Sequence, residues 1–159
     1  MVGPITSSMA YSPMVEIGES ELPDLLDLYQ GAYWASERTE AEARAILKNS
    51  DILFGTRDLD TGRMVAFARV LTDRATIALL CDVIVHPAHR GKGLGKEMME
   101  RVASHPLLRG VRIIQLNCRH DVLAFYERWG FEELDPEIRT MRRIRREQND
   151  KNGRPEGQE

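Results

Sequence analysis

The feature that most constrains this chain is the segment of residues 83–96, where an apolar run, a glycine-rich turn and a helical pattern follow one another directly. The turn has glycine at three alternate positions, Gly91, Gly93 and Gly95. Glycines at this spacing let the backbone point several N–H groups toward one place, and a helix N-terminus adds partial positive charge there. The segment therefore predicts a strand–loop–helix unit that binds an anion.

Three cationic side chains in the same segment, Arg90, Lys92 and Lys96, suit a pyrophosphate. Two common phosphate loops do not fit. A Walker A loop requires a glycine where this chain has Arg90 and a hydroxyl residue where it has Glu97. A dinucleotide fingerprint requires Gly-x-Gly-x-x-Gly, whereas the glycines here are spaced evenly.

The periodicity of apolar residues along the chain predicts the order β-α-α-β-β-β-α-β-α-β-β. That order indicates an α/β (α+β) fold with a mixed sheet, not an evenly alternating doubly wound fold. The strands are predicted at residues 14–17, 52–57, 64–71, 77–85, 111–118, 131–134 and 139–144.

The helices are predicted from their end signals and apolar faces. The first has apolar positions from Leu22 to Tyr33, and the second begins at a capping box formed by Thr39 and Glu42. A third covers residues 93–104. The fourth is capped by Asp121 and runs through residue 128, with Gly130 in the left-handed position that follows its end.

The composition is that of one soluble globular domain: 159 residues, 42% hydrophobic and 30% charged, with a net charge of −3. We expect a flexible leader at residues 1–13, the domain at 14–144 and a disordered charged tail at 145–159. The negative net charge argues against nucleic acid as a partner, and no apolar run suits a membrane span. Two cysteines without a disulfide pattern indicate free thiols and a cytoplasmic location.

A second segment, residues 124–131, contains the pattern Phe-Tyr-x-x-x-Gly-Phe with Tyr126 in its second position. Together with Arg-x-x-Gly-x-Gly at residues 90–95, and in the same order along the chain, it resembles the motifs of the GNAT superfamily of N-acetyltransferases. The resemblance covers roughly residues 15–144. It implies a GNAT-like fold with a splayed central pair of strands, acetyl-CoA as cosubstrate, and no metal.

The resemblance also implies where acetyl-CoA binds. Backbone groups of the strand at Val83, Ile84 and Val85 would pair with the pantetheine arm, and an N–H near Ile84 would polarise the thioester carbonyl. Backbone amides of the loop would hold the pyrophosphate. The loop residues concerned are Arg90, Gly91, Lys92, Gly93, Leu94, Gly95 and Lys96.

The expected reaction is direct attack of a neutral amine on the acetyl thioester, with Tyr126 matching the family's general acid. The base is Asp82 or His120. Strand alternation predicts Leu80, Asp82 and Ile84 on one face, where burial would raise the pKa of Asp82. A structural alternative pairs Asp82 with Arg69 on the preceding strand. A covalent route through Cys118 is the less favoured mechanism.

In the family the acceptor pocket lies at the first helices and their connection, which here contain Tyr33, Trp34 and Glu37 together with Tyr29 and Arg38. Aromatic rings with one acid suit an amine with an apolar body, and the negative net charge slightly favours a small cationic amine over a protein. The sequence leaves four acceptor classes open: a polyamine, an amino acid, an aralkylamine, and a protein N-terminus or lysine. The competing function is a non-catalytic module that binds acyl-CoA as a sensor. The assembly is predicted to be a monomer or a homodimer.

Overall fold

A five-stranded sheet forms the centre of the computed structural model, which describes residues 10–145. Its strands lie in chain order: β1 (Tyr11–Met14), β2 (Ile52–Asp58), β3 (Met64–Thr72), β4 (Ile77–Val85) and β5 (Ile113–Leu116). The first four pair antiparallel, and β5 pairs parallel to β4. This is the mixed α/β architecture that the sequence predicts.

Helices cover both faces of this sheet. They are α1 (Leu22–Gln30), α2 (Glu40–Asn49), α3 (Leu94–Ser104) and α4 (Leu123–Glu127). Helices α1 and α2 share one apolar cluster with Phe67 of β3, whereas α3 shares another with Ala68. Because neighbouring residues of a strand point to opposite faces, the two clusters lie on opposite sides of the sheet.

Two predicted helix ends are confirmed. The Thr39 hydroxyl accepts a hydrogen bond from the Glu42 N–H at 3.2 Å, and the Glu42 carboxylate accepts one from the Thr39 N–H at 2.8 Å. Gly130, after the end of α4, has φ of 82°, which is the predicted left-handed conformation.

The first helix is shorter than predicted. Helix α1 stops at Gln30, so Tyr33 lies beyond the helix and its side chain is exposed.

Two predicted boundaries are wrong. The first strand lies at Tyr11–Met14 rather than at 14–17, because its backbone pairs with β2 from Tyr11 to Met14 while Val15 points into solvent. It therefore includes three residues assigned to the leader. Asp121 does not cap α4, since its carboxylate accepts from Arg119 Nε at 3.1 Å and a 3₁₀ turn, His120–Val122, precedes the helix.

Residues 131–134 and 139–144 contain no strand in the described part of the chain, which contradicts the prediction of two further strands. The apolar side chains of the second segment, Met141 and Ile144, point into solvent. Four arginines surround them, at residues 139, 142, 143 and 145. These apolar side chains therefore pack against no other element, so burial does not favour a strand here. The rest of the leader and the tail from residue 146 lie outside the described residues.

Candidate active site

Strands β4 and β5 pair over only part of their length. Their partners run from Ile77 with Ile113 to Leu80 with Leu116, where β5 ends. Strand β4 continues to Val85, paired with β3 alone. Residues 81–85 therefore present a backbone edge that has no strand partner among residues 10–145. Such an edge is able to pair with an extended ligand.

The glycine loop lies between the end of this edge and α3. Gly91 and Gly93 have φ of 74° and 80°, in the left-handed region that favours glycine, and Gly93 is the N-cap of α3. The Arg90 guanidinium donates from Nε to the carbonyl of Val85 at 3.2 Å, which ties the loop to the last residue of β4. The open strand edge and a helix N-terminus thus meet at one place, as an anion site requires.

The two sequence motifs contact each other. A Cβ built on Gly95 would lie 3.5 Å from Cζ of Phe125, so the absence of a side chain at residue 95 lets the α4 aromatic approach α3 closely. Leu94 is buried in the same cluster, and Lys92 and Lys96 are exposed. The structure therefore brings the predicted cosubstrate loop beside the segment that contains Tyr126.

Tyr126 lies in α4 with its ring against Phe125 and Phe131, at centroid distances of 5.0 and 6.0 Å. Tyr126 and Cys118 line a cavity of about 880 Å³ beside β5. Burial raises the pKa of Tyr126 to about 12, and the nearby Cys118 thiol adds to the shift. The phenol is therefore protonated throughout the neutral range, which is the state that a proton donor needs.

A β-bulge interrupts β4 at Asp82. Ile84 pairs with Phe67 and Cys81 with Arg69, so β4 has one more residue than β3 between these pairs. Asp82 has φ of 56°, in the left-handed region. The predicted common face is wrong as a result: Leu80 packs in the α3 cluster, and Ile84 packs in the α1–α2 cluster.

The Asp82 carboxylate is buried and receives four hydrogen bonds. Arg38 donates Nη1 to Oδ2 at 2.6 Å and Nη2 to Oδ1 at 3.0 Å. Arg69 Nε and the Tyr29 hydroxyl donate to Oδ2 at 2.6 and 2.8 Å. Burial by itself raises the pKa of Asp82, but these hydrogen bonds outweigh it and hold the pKa below its usual value. The expected raised pKa is therefore wrong, and the alternative pairing with Arg69 is confirmed.

The predicted acceptor residues lie at the connection between α1 and α2. Tyr33 and Trp34 are 66% and 46% exposed, and Glu37 is exposed as well, so all three are available to a ligand. The Arg119 guanidinium lies 5.3 Å from the centroid of the Tyr33 ring. Through this contact, the loop after β5 lies beside the α1–α2 connection. The same loop contains His120.

Comparison with known proteins agrees with this geometry. The model of the Acetyltransferase (GNAT) family matches residues 20–131, which include the loop, Asp82 and Tyr126. A solved GNAT-family structure from Xanthomonas campestris is 34% identical, with a TM-score of 0.72 over 84% of this chain and 93% of its own. The chain belongs to the GNAT acetyltransferase family.

Curated relatives of this GNAT chain have acceptors of different kinds in their names. Histone acetyltransferase TAP1 of Glycine max is 33% identical over 76% of this chain and 55% of its own length. Serotonin N-acetyltransferase 2 of rice, named as chloroplastic, is 36% identical over 65% of this chain and 53% of its own. The chain spans little more than half the length of these two relatives.

Among residues 10–145, no helix is both long and apolar enough to cross a bilayer. In the same part of the GNAT domain, no group of three or more His, Cys, Asp or Glu side chains is arranged to hold a metal ion.

We expect Asp82→Asn to lower the free energy of unfolding by about 3 kcal/mol at neutral pH, because it leaves two half-buried guanidiniums without a counter-charge. The measurement is urea unfolding of both proteins across pH. Since the folded-state pKa of Asp82 is lowered, its contribution is fully present above the ordinary aspartate pKa of about 3.9. The difference between the two proteins should then shrink as the pH falls below that value. A constant difference down to the lowest pH would contradict this.

Sequence reasoning missed the contacts of three residues of the site. Tyr29 and Arg38 belong to the segment where the acceptor pocket is expected, but nothing in the sequence indicates that both side chains donate hydrogen bonds to Asp82. Tyr11, assigned to the leader, shares a hydrogen bond of 2.8 Å with Nδ1 of His89, just before the glycine loop.

Proposed function

We propose that this GNAT domain transfers the acetyl group of acetyl-CoA to the primary amine of a small molecule, by direct attack in a ternary complex. The observation that carries the proposal is the open edge of β4 at residues 81–85, which ends at a glycine loop and a helix N-terminus. An extended arm with a pyrophosphate at one end matches that arrangement of donors.

The loop residues support acetyl-CoA binding through their backbone. Gly91 and Gly93 adopt φ values that L-residues rarely adopt, and a Cβ on either would meet nothing within 4 Å. The space above the loop is therefore open to a ligand. Arg90, Lys92 and Lys96 add positive charge for the phosphates, and Val83–Val85 supply the edge for the pantetheine.

Tyr126 is the proposed proton donor to the departing thiolate. It lies beside Cys118, which follows the end of β5, and it is protonated at neutral pH. Its hydroxyl has no hydrogen-bond partner among residues 10–145, so it is free to donate to a ligand.

Asp82 and His120 are the two candidate acceptors of the proton from the amine. Asp82 already receives four hydrogen bonds, and its lowered pKa makes it a weak base. His120 is exposed on the 3₁₀ turn after β5. This contrast favours transfer through water to His120, with Asp82 in a positioning role.

A small acceptor is favoured by the local site. At the α1–α2 connection Arg38 lies over the Trp34 ring and Arg119 lies over the Tyr33 ring, which gives an exposed rim of aromatic and cationic groups. The rice relative named for serotonin is consistent with an amine that has an aromatic body. The predicted cytoplasmic location and the predicted monomer or homodimer remain predictions.

The test is a panel of aliphatic amines, aralkylamines, amino acids and lysine peptides, with release of free CoA thiol from acetyl-CoA as the readout. We expect release that depends on a small amine. Calorimetric binding of acetyl-CoA is measured in parallel. Binding without release from any acceptor would identify the sensor module instead, and release with peptides alone would contradict the small-molecule acceptor.

A further inference from the structure

We infer that the acceptor amine carries an anionic oxygen group, a carboxylate or a phosphate, that binds the two arginines around Asp82. This inference rests on the proposed function and names the class of its substrate. The arginines are Arg38, from the α1–α2 connection, and Arg69, from β3.

The charges around Asp82 do not balance. Two guanidiniums meet one carboxylate, which leaves one excess positive charge in this cluster. The carboxylate accepts three guanidinium N–H groups, two from Arg38 and one from Arg69. The Nη1 and Nη2 groups of Arg69 have no hydrogen-bond partner within residues 10–145. Partly buried guanidinium donors are stabilised by an anion that accepts them in pairs.

The side chains of the cluster differ in their exposure to solvent. The Asp82 side chain is 4% exposed, whereas those of Arg69 and Arg38 are 15% and 25% exposed. The carboxylate is thus the inner member and the guanidiniums are the outer ones. A ligand that approaches from solvent meets positive charge before it meets Asp82.

The cluster lies where the acceptor would be expected. Asp82 immediately precedes Val83–Val85, the edge proposed for the pantetheine arm. The Arg38 guanidinium also lies 5.6 Å from the Trp34 ring centroid, at the exposed rim. Arg69 pairs with Cys81, the first residue of the open edge, so the cluster lies beside the end of the β4–β5 pairing. An anionic group held here would place an attached amine near the acetyl group.

This local charge refines the expectation from net charge. A chain with net charge −3 favours a cationic ligand at long range, but a recognition site is decided by the groups within contact. One excess positive charge beside an aromatic rim fits a zwitterionic amine. Amino acids and phosphorylated amines both belong to that class.

The first arm of the test compares matched acceptors: phenylalanine with phenylalaninamide, and O-phosphoethanolamine with ethanolamine. The measured quantity is kcat/KM for the anionic member divided by that for the neutral member, in wild type and in Arg69→Gln. We expect Arg69→Gln to lower this ratio about ten- to hundred-fold, since hydrogen bonds to charged groups are worth that much. Comparing ratios between proteins removes the intrinsic difference in amine basicity. The carboxylate and phosphate pairs show which group the site takes.

Arg63→Gln is the matched control, because Arg63 forms its ion pairs with Asp24 and Asp27, away from the cluster. The ratio should be the same in this variant as in wild type. An equal loss in Arg63→Gln would show a general charge effect and overturn the inference. A ratio that Arg69→Gln leaves unchanged would overturn it as well.

The second arm needs no turnover. Calorimetry measures binding of N-acetylphenylalanine, and separately of its amide, to the protein loaded with CoA. Arg69→Gln should weaken binding of the acid, whereas Asp82→Asn should strengthen it several-fold, because the excess charge rises when the carboxylate is removed. Opposite signs are not expected from two variants that merely damage the fold. Weaker binding of the acid in both variants would overturn the inference.

The two arms separate the inference from the proposed function. Absence of CoA release with every acceptor would contradict the proposed function, while calorimetry would still decide whether the cluster binds an anion. Release that favours the neutral member, with no change in the ratio in Arg69→Gln, would uphold acetyl transfer and overturn the inference.

Discussion

Gly93→Asp is expected to weaken acetyl-CoA binding by about 100-fold or more. The change places a carboxylate at the N-cap of α3, where the cosubstrate's pyrophosphate would sit, and like charges in contact repel. A Cβ at this position meets nothing within 4 Å, so the effect does not come from a steric clash within the protein. Calorimetric titration with acetyl-CoA measures it.

Backbone strain needs its own control, because Gly93 has φ of 80° and an L-residue there costs about 1–2 kcal/mol. Gly62 has φ of 75° in the turn before β3 and an equally open Cβ position. Gly62→Asp should show comparable strain and unchanged acetyl-CoA binding. Gly93→Asn removes the charge but retains the size, and it should recover most of the affinity. Full affinity in folded Gly93→Asp would disprove the assignment of the loop.

Tyr126→Phe is expected to lower kcat by about 10²–10⁴-fold, the range typical of a general acid–base step. Only the hydroxyl is removed, and it makes no hydrogen bond among residues 10–145. The ring contacts with Phe125 and Phe131 are kept, so the melting temperature and acetyl-CoA affinity should change little. Single-turnover kinetics with the best acceptor measures the chemical step directly.

The pH profile gives an independent check on Tyr126. Because its pKa is raised to about 12, the wild-type rate should show no alkaline decline from this group below about pH 10. Near-full kcat in Tyr126→Phe, under conditions where chemistry limits the rate, would return Tyr126 to a packing role.

The conformation of the glycine loop could be predicted in detail because its signal is local. Three glycines, flanking cations and an adjacent helix act through neighbouring residues, and the structure places them as expected. The capping box of α2 is equally local, since Thr39 and Glu42 contact each other across one turn. Such features depend on residues that are close in sequence.

The Asp82 cluster could be predicted only in part because it is assembled from distant segments. Arg38 and Asp82 are 44 residues apart, and Tyr29 and Asp82 are 53 apart. The bulge adds a second difficulty, since one extra residue in β4 reverses the side-chain alternation after it. A pattern read at period two through Asp82 therefore assigns Leu80 and Ile84 to the same face, although they lie on opposite ones.

The left-handed backbone at residue 82 has a consequence for any attempt to change the acceptor by directed evolution. Outside glycine, Asp and Asn tolerate this conformation best, and the same residue also holds Arg38 and Arg69. The β-bulge and the pairing with the two arginines thus both depend on the residue at position 82. A combinatorial library should keep that residue as Asp, keep Arg38 as its partner, and randomise residues 33 and 34, where the backbone imposes no such restriction.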